Sequence, residues 1–163
     1  MSAADLERGP REDIAWRRFQ TEAMLTFSRV HQQILRRTAR RLEEAGIDGI
    51  TPAQANALIV LFNARGPINA QALAAALGVT EVTVSRLLRR MEDDGWVERA
   101  QDPRDGRAML IQTTPMARAR FGELVQVSNH VLDDLFGELS REQLSQLGEL
   151  VSVIQAGLGP ERG

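Results

Sequence analysis

Between two short apolar runs, GWVER and MLIQT, the stretch QDPRDGRA (residues 101–108) carries Asp102, Arg104, Asp105 and Arg107, with Pro103 and Gly106 shaping the backbone between them. The flanking runs are β-prone, so the stretch reads as a hairpin turn. A tight turn needs little more than Asn-Gly or Gly-Gly. Two guanidinium groups at a loop tip exceed that need, and their planar donors suit an anionic partner such as phosphate. A second group of arginines, Arg86, Arg89 and Arg90, lies just upstream in EVTVSRLLRRMEDD. At about 100° per residue, Val84, Leu87, Leu88 and Met91 gather within about 100° of arc, the width of a core-facing stripe. Val82, Ser85, Arg86 and Arg89 lie opposite, flanked by Thr83 and Arg90.

Such a helix reads either as an amphipathic element with a solvated arginine face or as a helix that enters a DNA groove. Three details favour the groove. Val82 is apolar yet faces outward, where a thymine methyl would give it a partner. Thr80, Thr83 and Ser85 are small, so the backbone could come close to base edges. The acids Glu92, Asp93 and Asp94 sit only at the C-terminal end, where they oppose the helix dipole and would leave the groove if the N-terminal turns enter it. Arg86 and Arg89 then become guanine contacts or phosphate clamps. In the same reading the hairpin is a wing along the neighbouring minor groove, whose narrow A·T-rich form attracts arginine. Arg107 enters that groove or grips its rim, Arg104 meets phosphate, and Asp105 orients an arginine through a charge-assisted hydrogen bond. Taken alone, the hairpin also fits an exposed turn with self-paired charges.

Composition narrows the alternatives. The chain has 163 residues, enough for one domain with helical extensions. It contains no cysteine, which excludes a disulfide scaffold and a thiolate metal site. His31 and His130 form no ligand motif, so neither metal nor cofactor is expected. There is no nucleophile elbow, glycine-rich phosphate loop or clustered acid–base set, so an enzyme is not expected. No apolar stretch approaches the ~20 residues of a membrane span, and the N-terminus lacks a signal-peptide pattern. A cytoplasmic protein is expected. All basic residues are arginine, and the net charge of −2 does not advertise a nucleic-acid binder. The sum hides a segregation: residues 11–45 hold eight Arg against five acids, and residues 114–163 four Arg against seven.

The elements that must position these residues follow from spacing and punctuation. Residues 1–10 read as disordered. Residues 11–46 form one long helix, with Phe19, Ala23, Phe27, Val30, Ile34 and Leu42 at mostly helical spacing and Gly46 as the stop. At ~1.5 Å per residue it reaches roughly 50 Å, too long for a small domain alone to cover. Thr51-Pro52-Ala53-Gln54 is a capping box with proline at the first helical position. Asn69 caps AQALAAAL, ended by Gly78, and Thr80 caps the arginine-bearing helix, ended by Gly95. Three short helices followed by a hairpin, residues 51–113, make a winged helix-turn-helix. Residues 114–158 continue with a long helix from Thr114-Pro115 to about Phe136. A last helix opens at the Ser140…Gln143 box, with Leu144, Leu147, Val151, Ile154 and Leu158 on one face. The expected fold class is mainly α with a small β-hairpin wing.

The stretch VTVSRLLRRMEDDGWVERAQDPRDGRAMLIQTTPMARA resembles the recognition helix, wing and following helix start of the MarR family of bacterial transcriptional regulators. The likeness covers about residues 12–157, and the family's D-x-R wing signature falls on Asp105 and Arg107. Thr113 stands where leucine is common, and Met116-Ala117 replace a Lys-Gly-type pair. The resemblance implies a homodimer built from the N- and C-terminal helices. It also implies a repressor bound to double-stranded DNA at a palindromic promoter site, with half-sites about one helical turn apart, and release by a small anionic aromatic or phenolic effector. Trp16, Gln20 and Asn56 are the residues it suggests for an effector cleft, although Trp16 equally fits a hydrophobic interface. The absence of cysteine excludes the thiol-based peroxide sensing of one branch of the family. Arg36, Arg37, Arg40 and Arg41 form a basic patch that reads as a solvated face with local acid partners. A winged-helix protein-interaction module and a ligand-independent regulator stand as alternatives.

Overall fold

Five helix starts are set by a side-chain cap: Thr51, Asn69, Thr80, Thr114 and Ser140 each accept a hydrogen bond from a backbone N–H three residues on. Each satisfies one of the donors that a helix leaves unpaired in its first turn. At Thr51 and Ser140 the box is reciprocal: Gln54 Oε1 accepts from the Thr51 N–H at 2.8 Å, and Gln143 Oε1 from the Ser140 N–H at 2.9 Å. The computed structural model in which these caps are seen describes residues 10–64, 66–103 and 109–159, with side chains of the first helix from residue 13 onward. The N-terminal segment expected to be disordered lies outside the described residues up to position 9.

The element order is α1 (Pro10–Glu44), α2 (Pro52–Asn63), α3 (Ala70–Leu77), α4 (Glu81–Asp93), β1 (Val97–Gln101), β2 (Met109–Thr113), α5 (Pro115–Ala119), α6 (Phe121–Phe136) and α7 (Arg141–Leu158). The chain divides into two units, residues 1–37 and 38–163. The first consists of α1 up to Arg37. Ile14, Trp16, Phe19, Met24, Leu25, Phe27 and Val30 are exposed along it, as the over-long helix led one to expect. Trp16 and Phe19 stack with ring centroids 5.6 Å apart.

The second unit holds the core. Leu42, Ile47, Leu58, Leu73, Val84, Leu88, Met91, Trp96, Val97, Ile111, Ala117 and Leu124 are buried in one cluster. It therefore draws on every element of the helix–helix–helix–hairpin sequence and on the start of α6. The hairpin is antiparallel, with Val97 opposite Thr113 and Gln101 opposite Met109. Ile68 adds a third rung: its N–H donates to the Ile111 carbonyl at 3.2 Å, and Ile111 returns the bond at 2.8 Å. This short pairing ties the α2–α3 loop to the wing. A single isolated residue has no period, so nothing in the sequence marks it as strand.

One expected element differs. The helix from Thr114 to Phe136 is broken at Arg120 (φ −93°, ψ 4°) into α5 and α6. Arg120 leaves helical geometry while its N–H reaches both the Met116 and Ala117 carbonyls. Its guanidinium donates to the Gly46 carbonyl at 2.9 Å and pairs with Glu123 at 2.8 Å. That tether turns the chain locally, and helical periodicity on both sides conceals it. Nearby, Arg41 pairs with Asp134 at 3.2 Å and Glu44 at 3.1 Å. The hydrogen bond to Asp134 is the first cause that raises Arg41's pKa above an already high value, so it stays cationic at any working pH.

Candidate nucleic-acid interface

The turn between α3 and α4 depends on Gly78 (φ +65°), a left-handed conformation that costs other residues energy. The Val79 N–H bonds back to the Ala74 carbonyl at 3.1 Å and the Gly78 N–H to Ala75 at 3.3 Å, the paired pattern that closes a helix C-terminus. Two residues later Thr80 begins α4. Its hydroxyl oxygen accepts from the Thr83 N–H at 3.3 Å and lies 3.0 Å from the Thr83 hydroxyl. The first turn of α4 is thus fixed by its own side chains. Gly95 (φ +75°) ends the helix in the same way as Gly78, with the Trp96 N–H on the Met91 carbonyl at 2.8 Å. Trp96 is buried directly beyond it.

With both ends pinned, the orientation of α4 follows from its apolar stripe. Val84, Leu88 and Met91 are buried and Leu87 is half-buried. Thr80, Val82, Thr83, Ser85, Arg86, Arg89 and Arg90 are all exposed. These seven of the expected site residues are therefore held on one side of one element. Among the described residues, several arginines elsewhere are engaged, whereas those of α4, like Arg18, Arg36, Arg40 and Arg141, are not. Arg17, Arg41, Arg99 and Arg120 each pair with a carboxylate. Among the described residues, nothing hydrogen-bonds or ion-pairs with the guanidinium groups of Arg86, Arg89 or Arg90. Cations left in this state are available to an external anion.

The acidic end of α4 is arranged differently from the expectation. Glu92 does oppose the helix dipole, but it pairs at 3.0 Å with Arg99 on β1. The pair also fixes the first strand of the hairpin against the end of α4. Sequence reasoning passed over Arg99; its place two residues after buried Val97 on a strand, seven from Glu92, was the available signal. On the second strand Gln112 donates to Glu98 at 2.8 Å. The Thr114 hydroxyl, besides capping α5, donates to the Gly95 carbonyl at 2.6 Å, and Arg118 donates to the Thr113 carbonyl. The base of the hairpin is thereby bolted to the end of α4 on one side and to α5 on the other. Arg104, Asp105 and Arg107, at the tip, lie outside the described residues.

The residues suggested for an effector fall in both units. Trp16 and Gln20 are exposed on α1 in the first, where Arg17 donates to Gln20 at 3.2 Å. Asn56 is exposed on α2 in the second. In the basic patch, Arg41 has one local acid partner, Glu44, and one distant one, Asp134.

Helix, glycine turn, second helix and hairpin define a winged helix-turn-helix. Comparison with known proteins agrees. Residues 48–108 match the sequence model of the MarR family. The transcriptional repressor MprA of Escherichia coli is 27% identical over 103 residues, 63% of this chain and 58% of that protein. Coverage among the first curated relatives runs from 43% to 59%, so the chain spans about half the length of those it matches. The apo structure of MarR from Escherichia coli superposes with a TM-score of 0.61 at 26% identity, over 79% of this chain and 93% of that one. The MepR–DNA complex of Staphylococcus aureus superposes with a TM-score of 0.73 at 22% identity, over 82% and 96%, a likeness of fold. The curated relatives are named as transcriptional regulators or repressors.

Proposed function

We propose that the chain is a cytoplasmic, homodimeric transcriptional regulator that binds double-stranded DNA at a palindromic promoter site and represses from it. Residues 51–113 form the DNA-binding part, and residues 11–46 and 114–158 the dimerisation helices. The observation that carries this is the outward face of α4, where Arg86, Arg89 and Arg90 stand exposed without acid partners while the opposite face is buried. In this reading Thr80, Val82, Thr83 and Ser85 bring the first turns of α4 to base edges. Arg107 enters the flanking minor groove or grips its rim, Arg104 meets phosphate, and Asp105 orients an arginine. That a fold neighbour is described in complex with DNA supports DNA as the partner.

Release by an anionic aromatic effector is part of the same proposal. It is supported by the exposed, stacked Trp16–Phe19 pair, which offers an aromatic ligand a face to pack on, with Gln20 on the same helix as a polar contact.

The test is an anisotropy titration of the protein against its own promoter DNA at increasing salt, with and without aromatic acids. Nanomolar binding that falls steeply as salt rises is expected, since each neutralised phosphate adds about −0.9 to the log–log slope. Binding that ignores salt, or that does not distinguish the promoter from random duplex, contradicts the regulator. Unchanged affinity across the aromatic acids contradicts the effector alone.

A further inference from the structure

The arginines of α4 answer to a phosphate or a guanine edge, but neither explains Val82. Its side chain is 64% exposed, more than any other large hydrophobic described between residues 50 and 113. A β-branched residue in an exposed helical turn also carries a small propensity cost relative to alanine. Nothing in the fold requires an apolar group there, because Val84, Leu88 and Met91 on the opposite face make the core contacts. The surroundings specify what could cover it. Arg86 lies one turn on and Arg89 two turns on along the same stripe, both exposed. The Thr80 and Thr83 hydroxyls are engaged with each other and with the helix cap. Val82 is therefore the most exposed apolar group at the start of α4, with Val79 (38% exposed) three residues before it and the cations of the outward stripe after it. An apolar protein patch would have to bury those charges; a partner with one methyl amid anionic groups would not.

A DNA major groove has that composition. Its only apolar feature is the C5-methyl group of a pyrimidine, carried by thymine or by 5-methylcytosine, between two rows of phosphates. We propose that Val82 packs on a thymine C5-methyl, so that each half-site contains one thymine selected by packing rather than by hydrogen bonding. The proposal rests on the DNA-binding reading above and names what one residue of that surface recognises.

The experiment lets the full chain select duplexes from a random pool containing ordinary cytosine, then replaces each recovered thymine singly by deoxyuridine and each recovered cytosine singly by 5-methylcytosine. At one thymine per half-site the loss of the methyl should weaken binding about fourfold, the value of one buried methyl group. With Val82→Ser the same replacement should change nothing. Serine and valine have similar helix propensities, and an unchanged circular dichroism spectrum verifies that α4 persists. Uracil tolerated at every position overturns the proposal, as does a uracil penalty that survives Val82→Ser. Binding strengthened only by 5-methylcytosine assigns the methyl to the other base and overturns the thymine. Failure to recover any sequence, with no salt-dependent binding to duplex, overturns the DNA reading and this inference with it.

Discussion

A guanidinium at a protein surface commonly lies beside a carboxylate, and several in this chain do: Arg17 with Asp13, Arg99 with Glu92, Arg120 with Glu123. Those pairs are partly or well exposed, so each contributes about 0–1 kcal/mol at most to stability. Arg86, Arg89 and Arg90 have no carboxylate partner among the described residues, and the first turns of the face they share present threonine, serine and valine. Arg86 lies one turn from Val82 on that face, and in the proposed reading it meets a base edge. Arg86→Ala is expected to cost about 1–3 kcal/mol against the preferred sequence and little against random DNA, which removes specificity. Arg104→Ala, at a phosphate, should weaken all duplexes alike and lower the salt slope by about one. Competition anisotropy with specific and random duplexes measures both. Equal losses for the two variants would show that α4 does not read bases.

At the scale of elements, the caps did most of the work that a reader of the sequence can follow. Thr51, Asn69, Thr80, Thr114 and Ser140 announce helix starts because a short oxygen-bearing side chain has a local partner three residues away. Gly46, Gly78 and Gly95 announce stops because their left-handed backbone suits few other residues. Local chemistry of this kind is legible in one dimension, and so is the apolar stripe of α4. Contacts between distant residues are not. The break at Arg120 follows from its bond to Gly46, 74 positions away. The Ile68–Ile111 rung and the Arg41–Asp134 pair likewise join segments with no shared period. Thr114 combines both kinds of contact, capping α5 through Ala117 and holding Gly95 at 2.6 Å. Thr114→Ala should cost about 1–3 kcal/mol, a lost cap plus a carbonyl left without its donor. Urea unfolding reads this as a lower midpoint with unchanged slope; a loss under about 0.5 kcal/mol would mean that the hairpin base is held elsewhere.

For the whole molecule the central fact is apolar surface without a partner. Alongside the exposed apolar residues of α1, α7 leaves Leu144, Leu150, Val151, Val153, Ile154 and Leu158 uncovered, with Val153 at 70% and Leu158 at 80% exposure. Contiguous patches of this kind are uncommon on monomers and mark interaction sites. A second copy of the chain supplies the same faces and would pair two winged domains about a two-fold axis. The chain also distributes its charge suitably, with the acid excess in residues 114–163 and the partnerless arginines on α4. No described helix is long and apolar enough to cross a membrane.

Because the chain contains no cysteine, Glu81→Cys offers a single attachment point for a DNA-cleaving iron chelate at the exposed start of α4, beside the basic face. The account predicts two clusters of cuts on the bound promoter, centred about 34–36 Å apart and related by the symmetry of the site. The same reagent attached through Ser152→Cys on α7 should leave the DNA intact. Cutting that is weak and uniform from position 81, or equally strong from position 152, would contradict the placement of α4 in the groove.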